Sequence, residues 1–527
     1  MIYPMNFDKK KLITICSIAI FLFAFFIRIF YITEKVGIHI DEGLTHVVAS
    51  FNEYQWEKPF EKGKVYTGKE LKNLTFKNNT NLKEALEDVK KLRKNNGTDT
   101  SHPTLYNSIY LLWMQGENPI SMKNFIYKGC GLNLLFFIFS FFMMYKILQK
   151  LFPNSFVIIP GLAFAYFNTG SISNTLFMKP YQLQEMAFVT LTYIFIDNFQ
   201  KLNSKENIIN KKNSIFIALS IALTMLTGYF ALLYLTILGL ILISLCLKNK
   251  QFKNILFLIS SFIFALILVF AFYPGFLNGL TSVRANDVTG NILSANFYSI
   301  IYSTIFYFSI TISYLMYTPL LIMLGYGLWQ KKIRYNKLSL LLIIVGIIYS
   351  AIVMYIAPFK VLRYIVPIFP VISLILPTII NGTEGFSKKL LSVTTILLLV
   401  IYAVFPFSTV DYTNYSPYNY FRSKIENIND TEYEKFKFIQ KPELPVIIVN
   451  NPEYSCYMNL IFNMPDNQKY EIFDVTDKIP DKYNHYFLLV ERKSSKSKIE
   501  NFKLPENYTV VDRFNPARFA GYELVRK

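Results

Sequence analysis

Asp41 and Glu42 stand side by side in Ile38-His39-Ile40-Asp41-Glu42-Gly43, just past the end of the first long apolar run. Paired carboxylates where a membrane helix meets water lose solvation unless they are used, which makes them a functional-site candidate. Other segments carry residues of matching chemistry. His102 lies in Ser101-His102-Pro103-Thr104-Leu105-Tyr106, and Lys179 and Tyr181 lie in Met178-Lys179-Pro180-Tyr181-Gln182-Leu183. Arg363-Tyr364 opens a late apolar run, and Arg284 sits in an earlier polar loop. A carboxylate that removes a proton, with Lys and Arg holding a departing phosphate, is the chemistry these residue types offer. A phosphate attached to a membrane lipid would present itself at that depth.

The elements that must position these residues are membrane helices. The 527-residue chain is 53% hydrophobic and 17% aromatic, with a mean hydropathy of +0.31, beyond the range of soluble globular proteins. Apolar runs predict an α-helical polytopic membrane protein with about 11 transmembrane helices. The predicted spans cover 12–32, 125–148, 156–168, 183–199, 215–229, 231–247, 255–273, 298–329, 338–357, 364–380 and 390–407. Lys9, Lys10 and Lys11 precede the first, and the short loops assigned to the cytoplasm hold Lys146, Lys150, Lys201, Lys211, Lys212, Lys248, Lys331, Arg334 and Lys388. That is the positive-inside pattern. It places the N-terminus in the cytoplasm, the C-terminus outside, and every candidate residue on the external face. Arg28, inside the first span, is read as a side chain snorkelling to the interface.

Two external pieces remain. A long first loop, 33–124, belongs to a membrane domain of residues 1–409. It carries a helix-like Leu82–Val89 stretch, and Leu105 to Met114 is too short to span and reads as an interfacial or re-entrant helix. Residues 410–527 form a small extracytoplasmic α/β domain, with strand-like runs at 446–449, 486–490 and 508–511. Cys16, Cys130 and Cys246 lie in apolar runs and Cys456 outside them, which suggests no disulfide framework. The net charge of +19 is spread over loop ends rather than gathered on one domain, so anionic lipid, not nucleic acid, is its expected partner. The histidines and cysteines have no metal-ligand spacing. Asp41 and Glu42 alone offer an oxygen site for a divalent cation, too little to assign one, and no cofactor is expected. No nucleotide-binding loop is present.

These residues resemble the polytopic glycosyltransferases of the GT-C superfamily, particularly the protein O-mannosyltransferases and lipid A aminoarabinose transferases (glycosyltransferase family 39-like). The resemblance rests on the acidic pair Asp41-Glu42 opening the first external loop, and on His102-Pro103-Thr104-Leu105-Tyr106 before a short helix. It rests also on Lys179-Pro180-Tyr181 at the start of a span, on Arg363-Tyr364 opening a late one, and on the extracytoplasmic C-terminal domain. Thr104 stands where a second proline is usual, Lys179 where an arginine is, and a long insertion separates the acidic pair from His102.

The resemblance implies inverting transfer of a hexose or pentose from a polyprenyl-phosphate donor to an acceptor hydroxyl, on the external face of a bacterial cytoplasmic membrane. Asp41 would be the general base that deprotonates the acceptor hydroxyl, or would position and polarise it, and Glu42 would orient Asp41 or the acceptor. Lys179, Arg363 and Arg284 would neutralise the lipid phosphate, and His102, Tyr181 and Tyr364 would bind substrate. The acceptor, whether lipid, glycan or protein, stays open. A transporter or flippase for lipid-linked glycans, or a glycan polymerase, is the alternative. A transporter predicts internal repeats and charges near the bilayer midplane, whereas the charges here gather at one interface.

Overall fold

The computed structural model describes residues 9–35, 37–50, 61–76, 81–95, 103–115, 121–153, 155–294, 336–358, 362–382, 436–449, 458–474, 477–491, 502–516 and 519–527, with isolated positions in 296–305 and 392–400. Much of the predicted spans 298–329 and 390–407 lies outside the described residues.

Helix α1, Lys9–Glu34, shows what solvent this chain folds in. Ile13, Ser17, Ile20, Ala24, Ile27, Arg28 and Tyr31 are buried at helical spacing. The other face leaves Phe26 60% and Phe30 55% exposed, with Ile15, Ile18 and Leu22 beside them. A helix apolar on both faces, with aromatics on the open one, requires hydrocarbon around it. Helix α12, Phe252–Phe272, repeats the arrangement: Leu256, Ile259, Ile263 and Ile267 are exposed while Ser261, Ala265 and Val269 are buried. Among the described residues, Lys9–Glu34, Met122–Leu151, Ala231–Lys248, Phe252–Phe272 and Lys337–Ile356 are long and apolar enough to cross a membrane.

The chain divides into two compact units, one of residues 1–33, 97–106 and 130–420, the other of 34–96, 107–129 and 421–527. The first is helical. After α1 come α6 (Met122–Leu151), α7 (Ile158–Tyr166), α8 (Thr169–Leu176), α9 (Tyr181–Asn203), α10 (Lys211–Thr227), α11 (Ala231–Lys248), α12, α13 (Val283–Leu293) and a helix at Lys337–Ile356. Helix α9 is its hub, packing on α10, α11 and the segment Val366–Ile368.

Two predicted spans take another form. The run 156–168 is the nine-residue helix α7, broken from α8 at Asn168. The Asn168 amide donates to the Phe164 and Ala165 carbonyls (3.0 and 2.8 Å) and its oxygen accepts from the Ser171 amide (2.9 Å), so one side chain closes both helix ends. The run 364–380 is a succession of short helical pieces, Leu362–Tyr364, Val366–Ile368, Phe369–Ile372 and Ile375–Gly382. Pro367, Pro370 and Pro377 each remove an amide donor there.

The second unit contains α2 (Ile40–Ser50), α3 (Gly68–Thr75), α4 (Leu82–Asn95), most of α5 (Leu105–Met114) and a six-stranded sheet ordered β1-β3-β2-β4-β6-β5. The strands are β1 Val65–Thr67, β2 Val446–Val449, β3 Lys469–Phe473, β4 His485–Glu491, β5 Tyr508–Phe514 and β6 Phe519–Arg526. β2 runs parallel to both β3 and β4, and all of its residues are buried, as a parallel central strand covered on both faces requires. Tyr486, Leu488, Val490, Tyr508 and Leu524 join Ile447 and Val449 in the core on one face.

β1 comes from the first loop and pairs antiparallel with β3, Tyr66 opposite Tyr470. Strands of one sheet lie on one side of a membrane. The first loop and the C-terminal segment therefore share a face, and the chain crosses the bilayer an even number of times between them.

Candidate active site

The sequence-predicted residues fall in both units, each with its own construction. In the second unit, His39 caps α2. Its Nδ1 accepts from the Asp41 amide (3.1 Å), and Glu42 Oε2 accepts from the His39 amide (2.6 Å), a reciprocal capping arrangement. Because Nδ1 accepts, the proton of the neutral ring belongs on Nε2. Glu42 is fully buried, and its Oε1 is 2.5 Å from Lys35 Nζ, itself 1% exposed. Asp41 keeps 26% of its side chain open, with Oδ2 3.5 Å from His39 Nδ1. The two adjacent acids thus do different work: Glu42 ties the loop together, and Asp41 faces outward. Lys35 and His39 were not read from the sequence as partners of this pair. His39 is outside the usual Ser, Thr, Asp and Asn caps, so the Glu three residues on carries no capping-box signature.

Behind α2 sits His46, 4% exposed among Phe76, Tyr110 and Phe125. Its Nε2 lies 2.9 Å from the Thr75 carbonyl. Burial pushes the His46 imidazole down to about 4, holding it neutral.

In the helical unit the organising residue is Phe177, in the turn between α8 and α9. Its ring stacks on Tyr181 with centroids 5.9 Å apart and planes 2° from parallel. The Arg363 guanidinium lies 5.8 Å from the Phe177 ring centroid and 5.9 Å from that of Tyr364, and Tyr181 and Tyr364 are 6.3 Å apart. Tyr181 is thus brought together with the distant pair Arg363-Tyr364. Lys179 occupies the same turn, 8% exposed, its amide donating to the Phe177 carbonyl at 2.6 Å. Phe177 was missed because a lone aromatic in an aromatic-rich chain carries no signal.

Beside this cluster opens a cavity of about 350 Å³. Tyr181 and Gln184 from α9, Gly228, Tyr229 and Phe230 from the α10–α11 link, and Tyr364 line it. Ala285, Val288 and Thr289 of α13 complete a mostly apolar wall. Arg284 belongs to α13; its side chain and the whole of His102 lie outside the described residues.

Arg28 does not snorkel. It is fully buried, donating to Thr175 Oγ1 (3.0 Å), Ser171 Oγ (2.8 Å) and the Ala24 and Tyr166 carbonyls (2.9 and 3.0 Å), with its guanidinium 3.9 Å from the Phe137 ring centroid. The expectation failed because α8, unforeseen as a separate helix, supplies the hydroxyls. Thr175 donates onward to Gln182 Oε1 (2.8 Å), and Gln182 donates to Glu185 (2.9 Å). Glu185, also fully buried, takes further hydrogen bonds from Ser140 (3.2 Å) and Asn174 (3.1 Å). An arginine and a glutamate inside the membrane are thus joined through two neutral side chains, the satisfied form in which buried charges persist.

No family model matches the chain, and no curated protein matches its sequence. Among solved structures the chain is similar to ArnT from Cupriavidus metallidurans. The structure of that protein bound to undecaprenyl phosphate superposes with a TM-score of 0.49 at 10% identity, covering 96% of this chain and 97% of that one. Its apo state gives a TM-score of 0.49 at 10% identity over 98% of each chain.

Proposed function

We propose that the chain is a membrane glycosyltransferase that moves a sugar from a polyprenyl-phosphate donor to an acceptor hydroxyl on the extracytoplasmic face, with inversion. The acceptor oxygen attacks the anomeric carbon, the bond from that carbon to the phosphate oxygen breaks, and Asp41 takes the hydroxyl proton. Glu42, engaged with Lys35 and the His39 amide, positions the loop rather than exchanging protons. Lys179 and Arg363 hold the departing phosphate where its charge develops, a point charge and a fork that complement each other. Arg284 and His102 keep their proposed substrate contacts from the sequence.

The observation that carries this reading is the meeting of Tyr181, Arg363 and Tyr364 beside a cavity whose wall is apolar. A guanidinium and phenols next to an apolar trough suit a molecule with a phosphate head and a hydrocarbon tail. The test is transfer of labelled sugar from synthetic polyprenyl-phosphate donors in proteoliposomes, against lipid, glycan and peptide acceptors. Wild type transfers and Asp41→Asn does not, while Asp41→Asn still binds polyprenyl phosphate. Movement of donor across the bilayer with no transfer, indifferent to Asp41→Asn, would instead establish the transporter reading.

A further inference from the structure

Phe177, Lys179 and Tyr181 are carried by the turn between α8 and α9 and the first residue of α9. That turn follows the end of α8, where helix carbonyls run out of amide donors, and Pro180 supplies none. Asn133 of α6, fully buried, meets that need. Its Nδ2 donates to the Phe177 carbonyl at 2.6 Å and lies 3.3 Å from each of the Asn174 and Thr175 carbonyls. Its Oδ1 accepts from the Tyr106 hydroxyl at 3.0 Å. The Phe177 carbonyl also accepts the Lys179 amide, so the same oxygen fixes the backbone of Lys179 and is itself fixed by Asn133. Tyr106, 1% exposed, sets the orientation of the Asn133 amide, because an oxygen accepting from a phenol forces the NH₂ group toward the carbonyls.

Resting on the reading above, we propose that Asn133 and Tyr106 are positioning residues of the phosphate-holding turn. Tyr106 acts through Asn133 on Phe177, and thereby on Lys179 and on the aromatic platform under Arg363. The Tyr106 of His102-Pro103-Thr104-Leu105-Tyr106 then serves the leaving-group side of the reaction without touching the substrate. Neither touches the substrate, so neither is a catalytic residue.

The experiment uses the full chain in proteoliposomes, with Tyr106→Phe, Asn133→Ser, Lys179→Gln and Tyr106→Phe/Lys179→Gln. Two readouts are taken: sugar transfer, and inhibition or direct binding by a fluorescent polyprenyl phosphate. Tyr106→Phe removes one oxygen and keeps the ring, so it carries the decision where Asn133→Ser fails to fold. Its kcat falls on the order of tenfold, polyprenyl phosphate binds it correspondingly more weakly, and KM for the acceptor does not change. Added to Lys179→Gln, it causes little further loss, because both act on one contact. Wild-type binding of polyprenyl phosphate by Tyr106→Phe, or a full additional loss in the double variant, overturns the inference. Absence of transfer by the wild type overturns the functional reading instead, and the binding measurement still decides the inference.

Discussion

Asp41 and Glu42 illustrate how position converts the same chemistry into different roles. Asp41 and Glu42 are neighbours with nearly the same side chain, yet α2 turns one inward onto Lys35 and leaves the other partly open. Removing one partner of a buried ion pair strands the other charge, which costs about 3–5 kcal/mol, whereas removing both is far milder. Lys35→Met is therefore expected to unfold the second unit at markedly lower temperature, and Lys35→Met/Glu42→Leu to recover most of the loss, read as thermal unfolding of the detergent-solubilised chain. Equal loss in single and double variants would remove Glu42's positioning role. His46 gives a second expectation at this scale. The fold holds it neutral to about pH 4, whereas unfolded histidine takes its proton near 6.5. The unfolded state then binds more protons between those values, so stability is complete above about pH 6.5 and declines as pH falls toward 4, by on the order of 3 kcal/mol in all. Unfolding midpoints of His46→Gln against wild type across that range should show wild type losing more; parallel slopes would contradict the assignment.

At the scale of elements, close approaches hold the pieces in register. A Cβ on Gly68 at the start of α3 would lie 2.1 Å from the Pro465 carbonyl oxygen, just where the Gly68 and Lys69 amides donate to Gln468 and Asp466. Gly68→Ala should cost about 1–3 kcal/mol and raise proteolytic nicking of residues 61–76; unchanged protease resistance would argue against this contact. What the sequence disclosed at this scale follows period and length. The 10-residue α5 and strands β2, β4 and β5 were legible because apolar runs, β-branched residues and flanking turns agreed. β1 is three residues long in a polar loop, and its partner β3 lies four hundred residues away, beyond any local pattern. The mostly polar run Thr169-Gly170-Ser171-Ile172-Ser173-Asn174-Thr175 after Asn168 shows no helical apolar period, which hid α8 and with it the hydroxyls that keep Arg28 buried. Of the site, the charged and phenolic residues were legible by type. Phe177, Asn133 and Glu185 were not, since their meaning lies in what the fold sets against them.

For the whole molecule, the shared sheet makes a claim about sidedness. Lys62 lies 2.7 Å from Asp474 and 3.1 Å from Asp477, so the first loop and the C-terminal segment are on one face. In a background with all native cysteines replaced, Lys62→Cys and Asp477→Cys should respond alike to a membrane-impermeant maleimide applied to intact cells. Labelling of one without the other would contradict the sheet.

The pairing of β1 with β3 also has a consequence in time. A ribosome delivers residues 65–67 about four hundred residues before residues 469–473, with the helical bundle in between. The loop must wait without its partner strand, through synthesis of the helical bundle, before the strand that completes it emerges. A nascent chain arrested before residue 469 would show this loop without the strand that pairs with β1.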